Sequence, residues 1–242
     1  WIPGMGVAVK AATIYPYNPK RGIAAVNGAV NLFADQDGRL EALVDFTLVT
    51  KWKTAGDSLL AARRLANPDP DHILIVGAGA VARSMVEAYR AAFPRSGFLV
   101  WARSPDAARI FADATGATPA PDLQTAVGRA SIIATTTMAT APLIQGAWLA
   151  PGTHLDLIGA YRPDMREADS ACFARARVYV DLRATTLDHI GDLMVPLAEG
   201  ALTRADVVAD FYDLSSGHFA RQHPDEITLC KNGGGAHLDL MT

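Results

Sequence analysis

The chain has 242 residues, of which 50% are hydrophobic and 19% charged, with a formal net charge of −3. Such a composition folds around a core of one large or two modest domains, and the lack of any Lys/Arg cluster argues against a nucleic-acid partner. The longest apolar run, 73–82, is interrupted by two glycines and falls short of the roughly 20 residues that cross a bilayer, so no membrane partner is expected either.

Residues 7–15 are rich in apolar and β-branched side chains and read as a strand. Tyr17-Asn18-Pro19 and Asp35-Gln36-Asp37-Gly38 read as turns, and 40–46 as a further strand. Ala55, Leu59, Ala62 and Ala66 recur at helical spacing, which predicts a helix over 51–66 with Thr50 as its N-cap. Asn67-Pro68-Asp69-Pro70 stops that helix and marks a domain boundary.

From His72 the pattern changes. A strand over 72–76 runs into Gly77-Ala78-Gly79-Ala80-Val81-Ala82, and a helix over 80–93 follows. This is the context in which a glycine turn reads as a dinucleotide site. Gly77 permits the tight turn and Gly79 the close approach of a pyrophosphate; Ala82 fills the third position of the fingerprint. The N–H groups of the helix start at Ala80 and Val81 donate to phosphate. The next strand, 98–102, is followed by Arg103-Ser104, where an NAD site places Asp or Glu for the ribose 2′-hydroxyl. Arg103 instead suits the 2′-phosphate of NADP, with Ser104 as a second donor or merely the N-cap of the following helix. Ser104-Pro105 opens that helix, which stops near Gly116.

Further on, the pattern predicts a short helix from Asp122 and a strand over 131–136. A strand over 153–158, a helix near Met165 and a strand over 177–181 follow, then helices over 185–199 and 203–213, and a last strand over 227–231. Strands alternating with helices make a parallel, doubly wound sheet. Thr135, Thr136 and Thr137 end a strand, so their hydroxyls are expected to face the cofactor. Asp181 also ends a strand, as a site residue or as a helix cap. The two cysteines, Cys172 and Cys230, show neither disulfide nor metal spacing. No metal site is expected, no signal peptide is visible, and the default compartment is the cytoplasm.

Val9-Lys10, Tyr17-Asn18-Pro19, Thr50 to Ala55, Gly77 to Ala82, Thr135 to Thr137 with Pro142, Gly159 to Glu167, Val180-Asp181 and Lys231 to Asp239 together resemble the ornithine cyclodeaminase/μ-crystallin family, in its order and over nearly the whole chain. The resemblance implies an α/β fold: a Rossmann doubly wound sheet plus a discontinuous α+β substrate and dimerisation domain. The expected division is 1–66 and 215–242 for the substrate domain and 71–214 for the dinucleotide domain. The resemblance also implies a homodimer, and a longer N-terminal segment that carries one of the family's carboxylate-binding arginines.

By the same resemblance, Lys10 lies near the substrate carboxylate. Lys53 stands where most members have Arg, keeping the charge and losing the bidentate fork. Tyr161 and Gly234 fall at the substrate, Gly159 and Asn232 at the cofactor. The implied activity is NADP(H)-dependent reduction of a cyclic imino acid, with NADP(H) preferred over NAD(H). Lys10, Arg162 and Asp164 are candidates for the catalytic groups, with bound water an equal contender as acid. Ornithine cyclodeaminase, alanine dehydrogenase and a non-catalytic NADPH-dependent binding protein stay open as alternatives.

Overall fold

Residues 1–15, 17–24 and 26–241 are described by a computed structural model, in which the chain forms two units. One comprises Trp1–Thr54 with Gly235–Thr242, the other Ala55–Gly234.

The first unit begins with β1 (Val7–Ile14), β2 (Val26–Phe33) and β3 (Leu40–Asp45), paired antiparallel in that order. The sequence carries only a weak signal for β2, whose Asn and Gly residues dilute the strand pattern. Gly28 is required there because a Cβ would run into Ala11 O and lie 2.6 Å from the Phe46 ring. Helix α1 (Phe46–Leu65) starts earlier than predicted. Asp45 Oδ1 accepts from Leu48 N at 2.8 Å, so an aspartate supplies the first-turn acceptor and Thr50 lies inside the helix.

The second unit runs β4 (His72–Val76), α2 (Ala80–Ala92), β5 (Gly97–Trp101), α3 (Pro105–Thr115), β6 (Thr118–Pro119), α4 (Leu123–Arg129), β7 (Ile132–Thr135), β8 (His154–Leu157), α5 (Ser170–Arg175), β9 (Arg177–Val180), α6 (Arg183–Thr186), α7 (Gly191–Ala198), β10 (Val207–Ala209) and β11 (Thr228–Lys231); α8 (Ala236–Met241) then belongs to the first unit. The sheet is parallel, ordered β10-β9-β11-β8-β7-β4-β5-β6. Alternation along β4 puts Ile73 and Ile75 with Met85, Tyr89 and Phe111 on one face, and Leu74 and Val76 with Ile133, Leu155 and Leu157 on the other. Both faces are therefore buried under helices. Ser104 Oγ accepts from Ala107 N, Pro105 opens α3, and Gly116 closes it at φ 71°.

Three expectations are corrected. The substrate unit is smaller than expected: residues 55–66 and 215–234 belong to the second unit, and β11 fills the slot between β8 and β9 inside the parallel sheet. No helix forms near Met165, because that backbone bonds elsewhere: Arg166 N to Ala139 O, and Glu167 O from Leu143 and Ile144. The helix over 203–213 is instead β10 between two single turns. Asp206 accepts from Thr203, and Asp210 and Asp213 cap each other's backbone; such local side-chain bonds compete with a continuous helix.

Candidate cofactor and substrate sites

Strand order reverses between β4 and β7, and in doubly wound sheets ligands bind outside the carboxyl ends at that point. Gly77 leaves β4 there with φ 121°, a conformation that disfavours any side chain, and a Cβ would overlap Thr136 Oγ1. At Gly79, which caps α2 in an extended conformation without a side-chain bond, a Cβ would meet nothing within 4 Å. The first intrahelical bond comes from Arg83 N to Gly79 O, so the N–H groups of Ala80, Val81 and Ala82 remain as donors. Ala82 is buried against Ile73 and Ile75, which seats α2 close to the sheet.

Beside this turn lies a cavity of about 610 Å³ walled by Gly77, Trp101, Arg103, Ser104, Thr136, Thr137 and Ala139, among others. Its volume is in the ligand-pocket range of about 300–1,000 Å³. No carboxylate lines it. Arg103 is exposed and, among the described residues, makes no ion pair. Ser104 Oγ accepts from Ala107 N at 3.3 Å, which leaves its proton to donate.

The three threonines divide. Thr136 Oγ1 donates to Val76 O at 3.1 Å, and Thr137 also lines the cavity. Thr135 does not face the cavity: it is fully buried and donates to Glu167 Oε2 at 2.8 Å, because alternation along β7 turns it inward. Glu167, also fully buried, further accepts from Thr137 N and Oγ1, both at 2.7 Å, from Gly159 N at 2.8 Å and from Ala160 N at 3.1 Å. Burial pushes its carboxyl above the usual range, against the pull of Lys231 and of Thr137. Glu167 N donates to Asp192 Oδ1 at 2.7 Å, and Asp192 Oδ2 lies 3.4 Å from Lys231 Nζ.

At the carboxyl end of β11, Asn232 Oδ1 accepts from Gly234 N at 2.8 Å, and Asp181 Oδ2 accepts from the same N–H at 3.0 Å. Asp181 therefore braces the turn of Gly234. Asn232 is 3% exposed, and its Nδ2 is a buried donor without a partner. An orphaned donor at the open end of the sheet, the bare Gly79 and the cavity together fit a bound dinucleotide.

Tyr161, Arg162 and Asp164 lie on the surface. Arg162 grips Asp164 through two bonds of 2.8 and 2.9 Å, with side chains 49% and 61% exposed, and its guanidinium lies 5.7 Å from the Tyr161 ring centre. Arg162 holds the Asp164 carboxyl below its usual range, while Asp164 raises the guanidinium. Neither shift favours proton donation.

In the first unit, Lys10 Nζ lies 2.6 Å and Lys53 Nζ 3.8 Å from the same oxygen, Asp239 Oδ1, with side chains 17%, 7% and 9% exposed. Lys10 also sits 4.9 Å from the Phe46 ring centre. Two ammonium groups thus converge on one carboxylate oxygen. No local pattern marks Asp239, whose lysine partner lies 229 residues away, or Glu167, which gathers donors from both Thr135–Thr137 and Gly159–Ala160. Among the described residues no cluster could hold a metal ion, and no helix is long and apolar enough to cross a membrane.

The model of the ornithine cyclodeaminase/mu-crystallin family matches residues 4–242. A Delta(1)-pyrroline-2-carboxylate reductase of Paracoccus denitrificans is 52% identical over all of this chain and 78% of its own length. The ketimine reductase mu-crystallin of Mus musculus is 32% identical over 97% of this chain and 73% of its own. The solved structure of Thermococcus litoralis Delta(1)-pyrroline-2-carboxylate reductase, in complex with NADH and L-proline, superposes with a TM-score of 0.87 and 27% identity, covering 98% of this chain and 77% of that one. The chain therefore belongs to the ornithine cyclodeaminase/mu-crystallin family.

Proposed function

We propose that this protein is an NAD(P)H-dependent reductase of cyclic imino acids of the pyrroline-2-carboxylate type, and that NADPH is its preferred cofactor. The observation that carries the reading is the pair of ammonium groups of Lys10 and Lys53 on Asp239 Oδ1, a setting for a carboxylate, in a chain whose other unit has the dinucleotide cavity. The 52% identity to a pyrroline-2-carboxylate reductase supports the substrate class. The preference for NADPH rests on Arg103 and on the lack of a carboxylate in the cavity wall; the Thermococcus litoralis structure carries NADH, so the preference belongs to this chain's own residues.

When bound, the reduced nicotinamide supplies the hydride for the imine carbon. The protein's residues bind and orient. The N–H groups of Ala80 to Ala82 hold the pyrophosphate, Arg103 and Ser104 the 2′-phosphate, and Asn232 Nδ2 finds an acceptor on the nicotinamide side. Lys10 and Lys53 take the substrate carboxylate. Of the candidates for proton donor, Asp164 is held ionised and Arg162 is held protonated by their mutual bonds; Lys10, which is bonded to Asp239, and bound water are the remaining sources. The family resemblance adds a homodimer to the same reading.

The test is steady oxidation of NADPH at 340 nm with Δ1-pyrroline-2-carboxylate and with its six-membered homologue, followed by detection of proline or pipecolate. No consumption with either, by NADPH or NADH, defeats the reading.

A further inference from the structure

We propose that Glu167 is the positioning residue for the nicotinamide half of the cofactor, acting through the two loops that one carboxylate ties together. The proposal rests on reading the cavity as a dinucleotide site. A doubly wound sheet holds a dinucleotide in two halves, one on each side of the strand reversal. Arg103 and Ser104, beyond β5, serve one half. The other lies over the ends of β7 and β8, and every donor to Glu167 comes from there. Thr137 reaches Oε1 through N and Oγ1; Thr135 Oγ1, Gly159 N and Ala160 N reach Oε2. A carboxylate offers about four lone-pair sites, so these five donors saturate it.

There is no slack between the loops. A Cβ on Gly159 would overlap Thr137 N and O and lie 2.5 Å from Glu167 Oε1. The anchor also continues downward. Glu167 N is held by Asp192 Oδ1 at 2.7 Å, Asp192 faces Lys231 at 3.4 Å, and Lys231 Nζ donates to Leu157 O at 3.0 Å in the next strand. The Thr137 wall of the cavity and the Gly159 turn therefore keep a fixed separation set by one side chain. Glutamine fits the same space but turns an NH₂ group toward N–H donors on one loop or the other. Aspartate is one methylene shorter and does not span both loops.

Affinities of NADPH and 2′-phospho-ADP-ribose, which lacks the nicotinamide, are compared by calorimetry for the wild type, Glu167→Gln and Glu167→Asp, with NADH and ADP-ribose as a second pair. The expected result is a selective loss of the whole dinucleotide, about 5- to 150-fold, as one or two mispaired buried hydrogen bonds imply, while the fragment changes less than about twofold. Turnover with imine falls by up to about 10²-fold through misplacement of the reacting centre, and the primary isotope effect from 4-deuterated NADPH rises. Equal loss of dinucleotide and fragment, or no loss of either, overturns the proposal. If the wild type binds neither dinucleotide nor fragment, the cofactor reading falls and takes the proposal with it. Should the Glu167 variants fail to fold, Thr135→Val decides. It removes one bond to Oε2 outside the cavity wall, and a selective loss of NADPH over the fragment supports the proposal, whereas parallel or absent changes overturn it.

Discussion

The Thr136 hydroxyl occupies the space into which any side chain at Gly77 would project, and it is fixed there by donating to Val76 O at 3.1 Å. Two strands that meet where the sheet reverses are thus locked in contact at the mouth of the cofactor cavity, and glycine is the residue that permits it. Gly77→Ala adds a methyl group against Thr136 and a strained φ of 121°. The expected cost is about 1–3 kcal/mol, or a fall in Tm of about 2–4 °C per kcal/mol for a chain of this size. NADPH affinity, followed by fluorescence enhancement, should fall with it. Unchanged affinity in the folded variant would show that the turn does not approach the cofactor.

Arg103 is predicted to read the 2′-phosphate. Arg103→Ala should weaken NADPH by about 1.5–3 kcal/mol, the worth of a charge-assisted hydrogen bond, and leave NADH nearly unchanged. Parallel losses for the two nucleotides, measured by titration, exclude the assignment.

Lys10 and Lys53 should act on the substrate and not on the nucleotide. Replacing either with Met removes one of the two ammonium groups on Asp239 Oδ1 and should raise KM for the imino acid at least tenfold, about the 1.4 kcal/mol of one charged contact. NADPH affinity should stay as it is. Wild-type kinetics in both variants would remove the lysines from the carboxylate site.

What the sequence discloses here follows its range. The strand, turn and helix around Gly77 are local, and hydrophobic period plus glycine placement is enough to read them. The place of β11 is not local. A strand over 227–231 is visible, but its insertion between β8 and β9 depends on strands made 74 and 51 residues earlier. Among three consecutive threonines, which one turns inward depends on where β7 ends, a matter of one residue. Glu167 gathers donors from as far back as Thr135, and Asp239 reaches Lys10 across the length of the chain. Only a resemblance that spans the chain pointed to the lysines.

Asp156 and His154, both buried on β8, should set the pH dependence of stability in opposite directions. Burial pushes the Asp156 carboxyl up to about 6, with Ser58 and Tyr89 opposing, and His154 down to about 3. A carboxyl that is protonated more readily in the fold takes up a proton on folding between its ordinary value near 4 and 6. Its contribution is therefore full at low pH and lost as pH rises through that window. A histidine held neutral does the reverse, costing stability as pH falls from about 6.5 toward 3. The two slopes offset each other between pH 4 and 6. Asp156→Asn should expose the histidine slope and raise stability at pH 7.5 by at most about 3 kcal/mol. Denaturant unfolding at pH 4.5, 6 and 7.5 checks this; identical pH profiles for variant and wild type would refute the assignment to Asp156.

The last prediction is negative: the protein should not be an efficient ornithine cyclodeaminase, although it shares a family with those enzymes. Cyclodeamination requires a base for the protons on the substrate's amino nitrogens while hydride moves to and from NAD. The resemblance places an Asp in cyclodeaminases two residues after the first glycine of the turn that here reads Gly159-Ala160-Tyr161. A phenol is a far weaker acid than a carboxyl group and does not stand ready as a base the way that carboxylate does. Tyr161 is also 40% exposed and lies beside the Arg162 guanidinium, not in a dry pocket. The nearest substitute along the chain is Asp164. It is gripped by Arg162 through two hydrogen bonds, and its pKa is lowered by that contact, which makes it a weaker base than a free carboxylate. Freeing it would mean breaking the pair and turning a half-exposed side chain. Incubation with ornithine and catalytic NAD, followed by assay of proline and ammonia, should therefore give a rate far below the roughly 1 per second of an ordinary enzyme. Turnover at or above that rate would establish another base. Arg162→Ala, which releases Asp164, should raise any residual cyclodeamination if that base is Asp164, and leave it unchanged if Tyr161 or water is responsible.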